Sequence, residues 1–199
     1  MDRFKSLICL LLVTLTLSAC STRQAGEKFS GSTEQRLVTY SINEIAKGFA
    51  KEPLQLLIEQ PIFIESHFVV KNEVVNYAEA RIKSQLAESF KVKFVDGNQA
   101  NTLIDYQPAN YKLDLFFTSL GTDRDQAGFS FPIINLSEPE RSTSISVLAV
   151  DMYHGISECH YVLVDLKTQE IMLRGKVSSR VRTDKFTTPI FSFPLSDLD

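Results

Sequence analysis

The sequence predicts an α+β fold, a single domain built on a mainly antiparallel sheet with two helices packed on one face. Three observations carry this expectation. Two segments, near residues 38–49 and 74–90, repeat apolar residues at helical spacing. The C-terminal part alternates apolar and polar residues with period two, most cleanly over residues 170–182. The order helix, strand, helix, strand and then a run of strands keeps the helices apart from most of the sheet.

Taken in order, residues 21–34 (STRQAGEKFSGSTE) are polar, Gly/Ser-rich and aperiodic, and read as a tether. Fully extended, such a segment reaches about 45–50 Å. Residues 35–199 form the globular part. Val38, Ile42, Ile45 and Phe49 line one face of a first helix that Pro53 ends. PIFIESHFVV is β-branched and aromatic and reads as a buried strand. Val74, Ala78, Ile82, Leu86 and Phe90 then fall four apart on one face of a second helix, with Glu79 and Lys83 paired on the other and Asn72 as its N-cap. KVKFVD and YKLDLFFTSL follow as strands. Residues 121–144 are rich in turn formers and read as a long loop, which in a compact domain is functional or disordered. Two strands, TSISVLAVDMY and ECHYVLVD, come next, and LKTQ turns the chain into EIMLRGKVSSRVR. In that last strand Ile171, Leu173, Val177 and Val181 face a core, while Met172, Arg174, Lys176, Arg180 and Arg182 face water.

The N-terminus fixes the compartment. Arg3 and Lys5 precede an apolar run, Leu7–Ala19, that is shorter than the ~20 residues a membrane-spanning helix needs. A basic start, a short apolar stretch and small residues before a cut site read as a secretory signal. Leu17-Ser18-Ala19-Cys20 resembles the lipobox of bacterial lipoproteins. That resemblance implies a signal peptide over residues 1–19, removed in the mature protein, and acylation of Cys20. It also implies Ser21-directed placement in the outer membrane, facing the periplasm. Two or three acyl chains anchor durably where one binds reversibly. Removing residues 1–19 takes away Asp2, Arg3 and Lys5, a net +1, and moves the formal charge from −3 to −4. A mildly acidic chain argues against nucleic acid as a partner. Of three cysteines, Cys9 leaves with the signal and Cys20 is lipidated, so Cys159 has no partner for an intramolecular disulfide.

Two looser resemblances concern the globular part. The VDLKTQEIMLRG hairpin among long antiparallel strands looks like small periplasmic lipoprotein domains of the curli-secretion-channel and penicillin-binding-protein-activator kind. Over residues 42–170, a PIFIE-like strand, a RIKSQL-like helix, an FVD strand and above all GTDRDQAGFSFP resemble a family of uncharacterised bacterial lipoproteins. The latter carries no function across.

Residues that could do chemistry are few. Cys159 stands between Glu158 and His160, with His154 and Asp151 upstream, which raises a metal site or a thiol nucleophile. Neighbours on a strand point to opposite faces, so Cys159 and His160 share an ion only across a bulge, for which Gly155 is available. A hairpin through LKTQ sets Cys159 opposite Lys176, which would favour a thiolate. Asp123, Arg124 and Asp125 read as a turn held by Asp side chains with Arg124 in an ion pair, or as a recognition site. Arg174, Lys176, Arg180 and Arg182 form a basic stripe that either guards an edge or docks an acidic partner. FSFP occurs twice, at Phe129–Pro132 and Phe191–Pro194, as aromatics tucked under the core edge or as apolar loop tips.

No convergent acid–base or nucleophile set emerges, and no phosphate-cradling glycine pattern exists. The function expected is therefore a non-enzymatic, lipid-anchored envelope protein without cofactor or metal. Its partners are the membrane, through the anchor, and another envelope protein or cell-wall component. The contact residues expected are Asp123, Arg124, Phe129 and Phe131 of the long loop, with Arg174 and Lys176. The alternative is an envelope enzyme or metal/thiol protein using Cys159, His154 and His160.

Overall fold

The structure is a computed structural model that describes residues 22–25, 31–69, 73–95, 108–133 and 143–195. The fold is α+β, with two helices and, among the described residues, seven strands in one mainly antiparallel sheet. In chain order the elements are β1 (Thr22–Ala25), α1 (Ser32–Phe49), a 3-10 turn at Gln55–Leu57, β2 (Pro61–His67), α2 (Glu73–Phe90), β3 (Lys93–Phe94), β4 (Tyr111–Ile133), β5 (Thr143–Asp165), β6 (Ile171–Thr187) and β7 (Ser192–Pro194). The strand order is β3-β2-β4-β5-β6-β7, and β1 adds to β4. The chain divides into two compact units. One comprises Lys28–Thr122 and Gly155–Val181, and the other Met1–Glu27, Asp123–His154 and Arg182–Asp199.

The first of these units holds the helices and the apolar core. Val38, Ile42, Ile45 and Phe49 of α1 are all buried, as their spacing requires. So are Ala78, Ile82, Leu86 and Phe90 of α2, with Val75 added at the start of the helix. Glu79 and Lys83 pair at 2.6 Å on the outer face of α2. Arg81 Nε donates to Asn43 Oδ1 at 2.7 Å and ties the two helices together. The helices cover one sheet face, meeting Ile62 and Ile64 of β2, Leu113, Leu115 and Phe117 of β4, Cys159, Tyr161 and Leu163 of β5, and Val177 of β6. Burying each large aliphatic or aromatic side chain of this set contributes about 1.5–3 kcal/mol. β2 runs parallel to β4, with Glu65 opposite Asp114 and His67 opposite Phe116.

Small residues let α1 lie close on β5. A Cβ on Gly155 would stand 2.3 Å from the Leu37 carbonyl oxygen, so the glycine is fixed by the approach of the helix rather than by a bulge. Two residues on, the Ser157 and Ser41 hydroxyls satisfy each other at 2.7 Å in the interior. The β5–β6 turn is held by Asp165, whose Oδ1 accepts from the Lys167 and Thr168 amides at 2.7 and 3.3 Å. β6 then alternates from Leu173 on, with Arg174, Lys176, Arg180 and Arg182 outward and Val177 buried, while Ile171, expected to face the core, is exposed at the start of the strand.

The second unit is built differently. β1 pairs antiparallel with β4, Thr22 opposite Gln126 and Ala25 opposite Asp123. β7 pairs antiparallel with β6, Thr187 opposite Ser192. Gly128 of β4 abuts Leu148 of β5, and Arg124 meets Asp151, so the two strands step past each other in opposite senses. Among the described residues here, those buried apart from Ala149 are polar: Asp151, His154 and Thr183.

Three expectations need correction. The stretch 121–133 is not loop: β4 runs unbroken to Ile133, because pairing with β5, and with β1 over Asp123–Gln126, outweighs the turn preference of its Gly, Asp and Ser residues. The two strands expected over 143–165 are one, β5, since Gly155 is accommodated without a break. The tether over 21–34 is also shortened, with residues 22–25 zipped to β4 and α1 beginning at Ser32. Glu34 secures that start by accepting from the Gly31 amide at 3.5 Å. The Asn72 cap lies outside the described residues.

Candidate interaction surface

Alternation along β2, β4, β5 and β6 sends every second side chain of the helix-bearing unit away from the helices, onto the open face of its sheet. The residues brought there are charged and aromatic. Glu65 and His67 come from β2, and Lys112, Asp114, Phe116 and Thr118 from β4. Glu158 and His160 come from β5, and Arg174, Lys176 and Arg180 from β6. The parallel register of β2 on β4 places four of them together. Lys112 Nζ donates to Glu65 Oε2 at 2.6 Å and to Asp114 Oδ1 at 3.0 Å, while His67 Nε2 lies 2.9 Å from the same Asp114 oxygen. The Lys112 hydrogen bond holds the Glu65 carboxyl below its ordinary range, and Glu65 in turn raises Lys112. The His67 ring stacks on Phe116, centroids 4.7 Å apart at 15°. Phe116 keeps 41% of its surface in water, although it is fixed by that stack.

Glu65, His67 and Asp114 are the one group of His, Cys or acid ligands close enough to hold an ion among the described residues. The Lys112 ammonium already contacts both carboxylates there, so one of the two negative charges that would attract a metal is offset. Farther along the face, Lys176 Nζ donates to Glu158 Oε2 at 3.1 Å, and that bond lowers the Glu158 carboxyl. Thr118 Oγ1 donates to the same oxygen at 3.3 Å. Lys176 therefore pairs with Glu158 and not with the thiol beside it.

Cys159 corrects a second expectation. It points to the helix side, fully buried, and burial pushes its thiol up to about 12. A thiolate nucleophile is the opposite of what this pocket stabilises. His160 is exposed, and His154 is buried in the other unit with Nε2 3.5 Å from Asp125 Oδ2. The grouping of Cys159, His154 and His160 invoked for an enzyme is not assembled as a ligand cluster among the described residues.

Asp123, Arg124 and Asp125 sit on β4, so they are strand residues rather than a turn. Arg124 Nη2 donates to Asp151 Oδ1 at 2.9 Å, with the guanidinium 5.3 Å from the Tyr153 ring centre. Thr187 Oγ1 donates to the other Asp151 oxygen at 3.1 Å. The row Gln24, Arg124, Asp151, Thr187, Ser192 thus crosses four strand pairs, and the ion pair expected for Arg124 is a cross-strand clasp. Phe129 is exposed on β4. The backbone of Phe131 belongs to β4 and its side chain lies outside the described residues, as does Cys20. Arg174 and Lys176 are exposed on β6 where the alternation put them.

Sequence reasoning missed the cluster of Glu65, His67, Lys112, Asp114 and Phe116. Half of the signal was present, because YKLDLFF alternates charge with apolar residues. The other half, which strand pairs with it and in what register, is a long-range fact with no local signature.

No protein-family model matches the chain, and no curated protein matches it. Among solved structures, it is similar to the LpoB C-terminal domain from Salmonella enterica, at 10% identity with a TM-score of 0.35. It is similar also to the LpoB C-terminal domain from Escherichia coli, at 10% identity with a TM-score of 0.36. Each comparison covers 71% of this chain and 97% of the other. Likenesses this distant do not bear on what the chain binds.

Proposed function

We propose that this protein is a lipid-anchored component of the cell envelope that acts by binding rather than by catalysis. In this reading Cys20 carries the anchor in the outer membrane, and the folded part faces the periplasm and engages another envelope protein or cell-wall component. The observation that carries the binding reading is the open sheet face, where Phe116 is presented on a stacked histidine between fixed ion pairs. Arg174 and Arg180 stand exposed on β6, two strands along the same face. Interfaces concentrate their energy in such aromatic and arginine anchors. Side chains already held in place lose little further freedom when a partner docks. The His67–Asp114 pair has no Ser, Thr or Cys hydrogen-bonded to it among the described residues, so nothing there forms the nucleophile–base–orienter chain of covalent catalysis.

The test has two arms. Labelling with a palmitate analogue should tag the natural protein and miss Cys20→Ala; labelling of that variant would refute the anchor. Crosslinking in intact envelopes should then capture a partner. Phe116→Ala combined with Arg174→Ala should weaken capture at least tenfold, or about 1.4 kcal/mol, with the melting temperature little changed. Undiminished capture would remove this face from the interface.

A further inference from the structure

We infer that the outer edge of β6 takes up an extended segment of the envelope partner, one that carries a carboxylate at every second residue. The inference deepens the binding reading above and rests on it, because Arg174 and Arg180 belong to the open face. It begins from the sheet order. β6 has β5 on one side, and on the other β7 meets it only at Lys185–Thr187. Over Leu173–Val181 no described strand pairs with the outer edge.

The phase of the ladder decides which backbone groups lie along that edge. The Asp165 amide donates to the Glu170 carbonyl at the start of β6, whereas the Leu166 amide donates to the Asn110 carbonyl at the start of β4. Odd-numbered residues of β5 therefore aim their backbone groups at β6, and the unbroken burial alternation of 155–164 carries that phase along the strand. Gly175 lies against Tyr161 on the helix side, and same-face neighbours in an antiparallel ladder share its phase. Leu173, Gly175, Val177, Ser179 and Val181 thus aim back at β5. Arg174, Lys176, Ser178 and Arg180 turn their amides and carbonyls to the outer edge, with their side chains exposed.

Charge selects the occupant. Lys176 pairs with Glu158, while Arg174 and Arg180 have no ion pair among the described residues. The two arginines are six residues apart, about 20 Å along the strand, with Lys176 between them. A second copy of β6 added here would set this basic row beside itself, and like charges across a strand pair are destabilising. An acidic strand meets the opposite charge at each step. On the helix side the same edge offers half-buried Leu173 and Val181 and buried Val177. The strand that fits therefore alternates carboxylates with apolar residues. Leu173–Val181 alternates regularly and contains no proline, so its backbone is free of the usual devices that block an edge. In strand addition the main-chain bonds supply affinity and alternate side chains supply specificity.

The probe is an end-capped, fluorescently labelled heptapeptide, Glu-Val-Glu-Val-Glu-Val-Glu, titrated by anisotropy against the full-length protein in detergent micelles. It should bind at least tenfold more tightly than the same alternation built with lysine, and weaken as salt rises. Its glutamates stand opposite residues that aim outward, so their amides face β6. N-methylation of the glutamate amides should abolish binding, and N-methylation of the valine amides should not. Ser178→Pro removes one outward N–H without altering charge and should weaken binding at least tenfold at a near-natural melting temperature. If that variant unfolds, the methylated peptides decide the matter on the natural protein. Equal affinity for the two methylated peptides assigns the contact to charge alone and overturns the inference, as does absence of binding by the glutamate peptide. Dimerisation that Ser178→Pro abolishes assigns the edge to a second copy and also overturns it. Crosslinking in intact envelopes separates this inference from the reading beneath it. Capture that Phe116→Ala with Arg174→Ala weakens but Ser178→Pro leaves intact keeps the face and overturns the edge; capture that neither changes overturns both.

Discussion

At the scale of single residues, Gly155 and Cys159 show how closely α1 and β5 are fitted. The Leu37 carbonyl occupies the space where a side chain on residue 155 would go. Gly155→Val should therefore cost about 1–3 kcal/mol or more through overpacking, read by denaturant titration, whereas a substitution at the open Gly121 should not. Cys159 makes a pH prediction. Its folded thiol is raised by burial to about 12 from an ordinary 9.0, so the folded state retains its proton where the unfolded chain loses it. Stability from this group is fully present below pH 9 and lost as pH rises toward 12. The Tyr161 phenol acts in the same direction, raised by burial and by its bond to Glu52. Melting temperature should hold up to about pH 8–9 and fall above it, and native Cys159 should resist alkylation at neutral pH. Rapid neutral alkylation would contradict its place in the core.

Among elements, the helices were legible because their signal is local. Ile82 and Leu86 face the core for the same reason that they lie four apart. The β6 stripe was legible for the same kind of reason. β4 was not. GTDRDQAGFSFP carries turn formers at nearly every position, and only partners far away in sequence make it a strand: β1 on one side, and β5 on the other. A paired strand resists cleavage where a loop would not. Limited proteolysis should accordingly spare residues 121–129 in the native protein, despite Arg124; a first cut there would show that the strand opens readily. The candidate face was half legible. Lys112, Asp114 and Phe116 could be placed on one side of a strand from the sequence, but the arrival of Glu65 and His67 depends on a parallel register that alternation alone does not set.

For the whole molecule, the contrast between the two units matters most. One buries an apolar cluster under two helices. The other buries Ala149 together with Asp151, His154 and Thr183, and is held by strand ladders and cross-strand side-chain bonds. Apolar burial is the main favourable term in folding, so local stability should differ between them. Hydrogen exchange should show the amides of α2 and Leu113–Phe117 opening only with global unfolding. Those of Asp123–Gln126 and Thr183–Thr187 should open at lower free energy. Equal protection would indicate stabilisation that the described residues do not reveal.

The pairing of β1 with β4 also orders events in time. Thr22 and Gln126 are about a hundred residues apart, so their contact closes a long loop and waits until β4 has been made and laid down. The earliest described strand is among the last to dock. During the interval Thr22–Ala25 is an unpaired segment, and under the proposed anchoring an enzyme acting on Cys20 would meet the chain before this margin of the sheet is finished. Closure of β1 then completes the ladder along Asp123–Gln126 of β4.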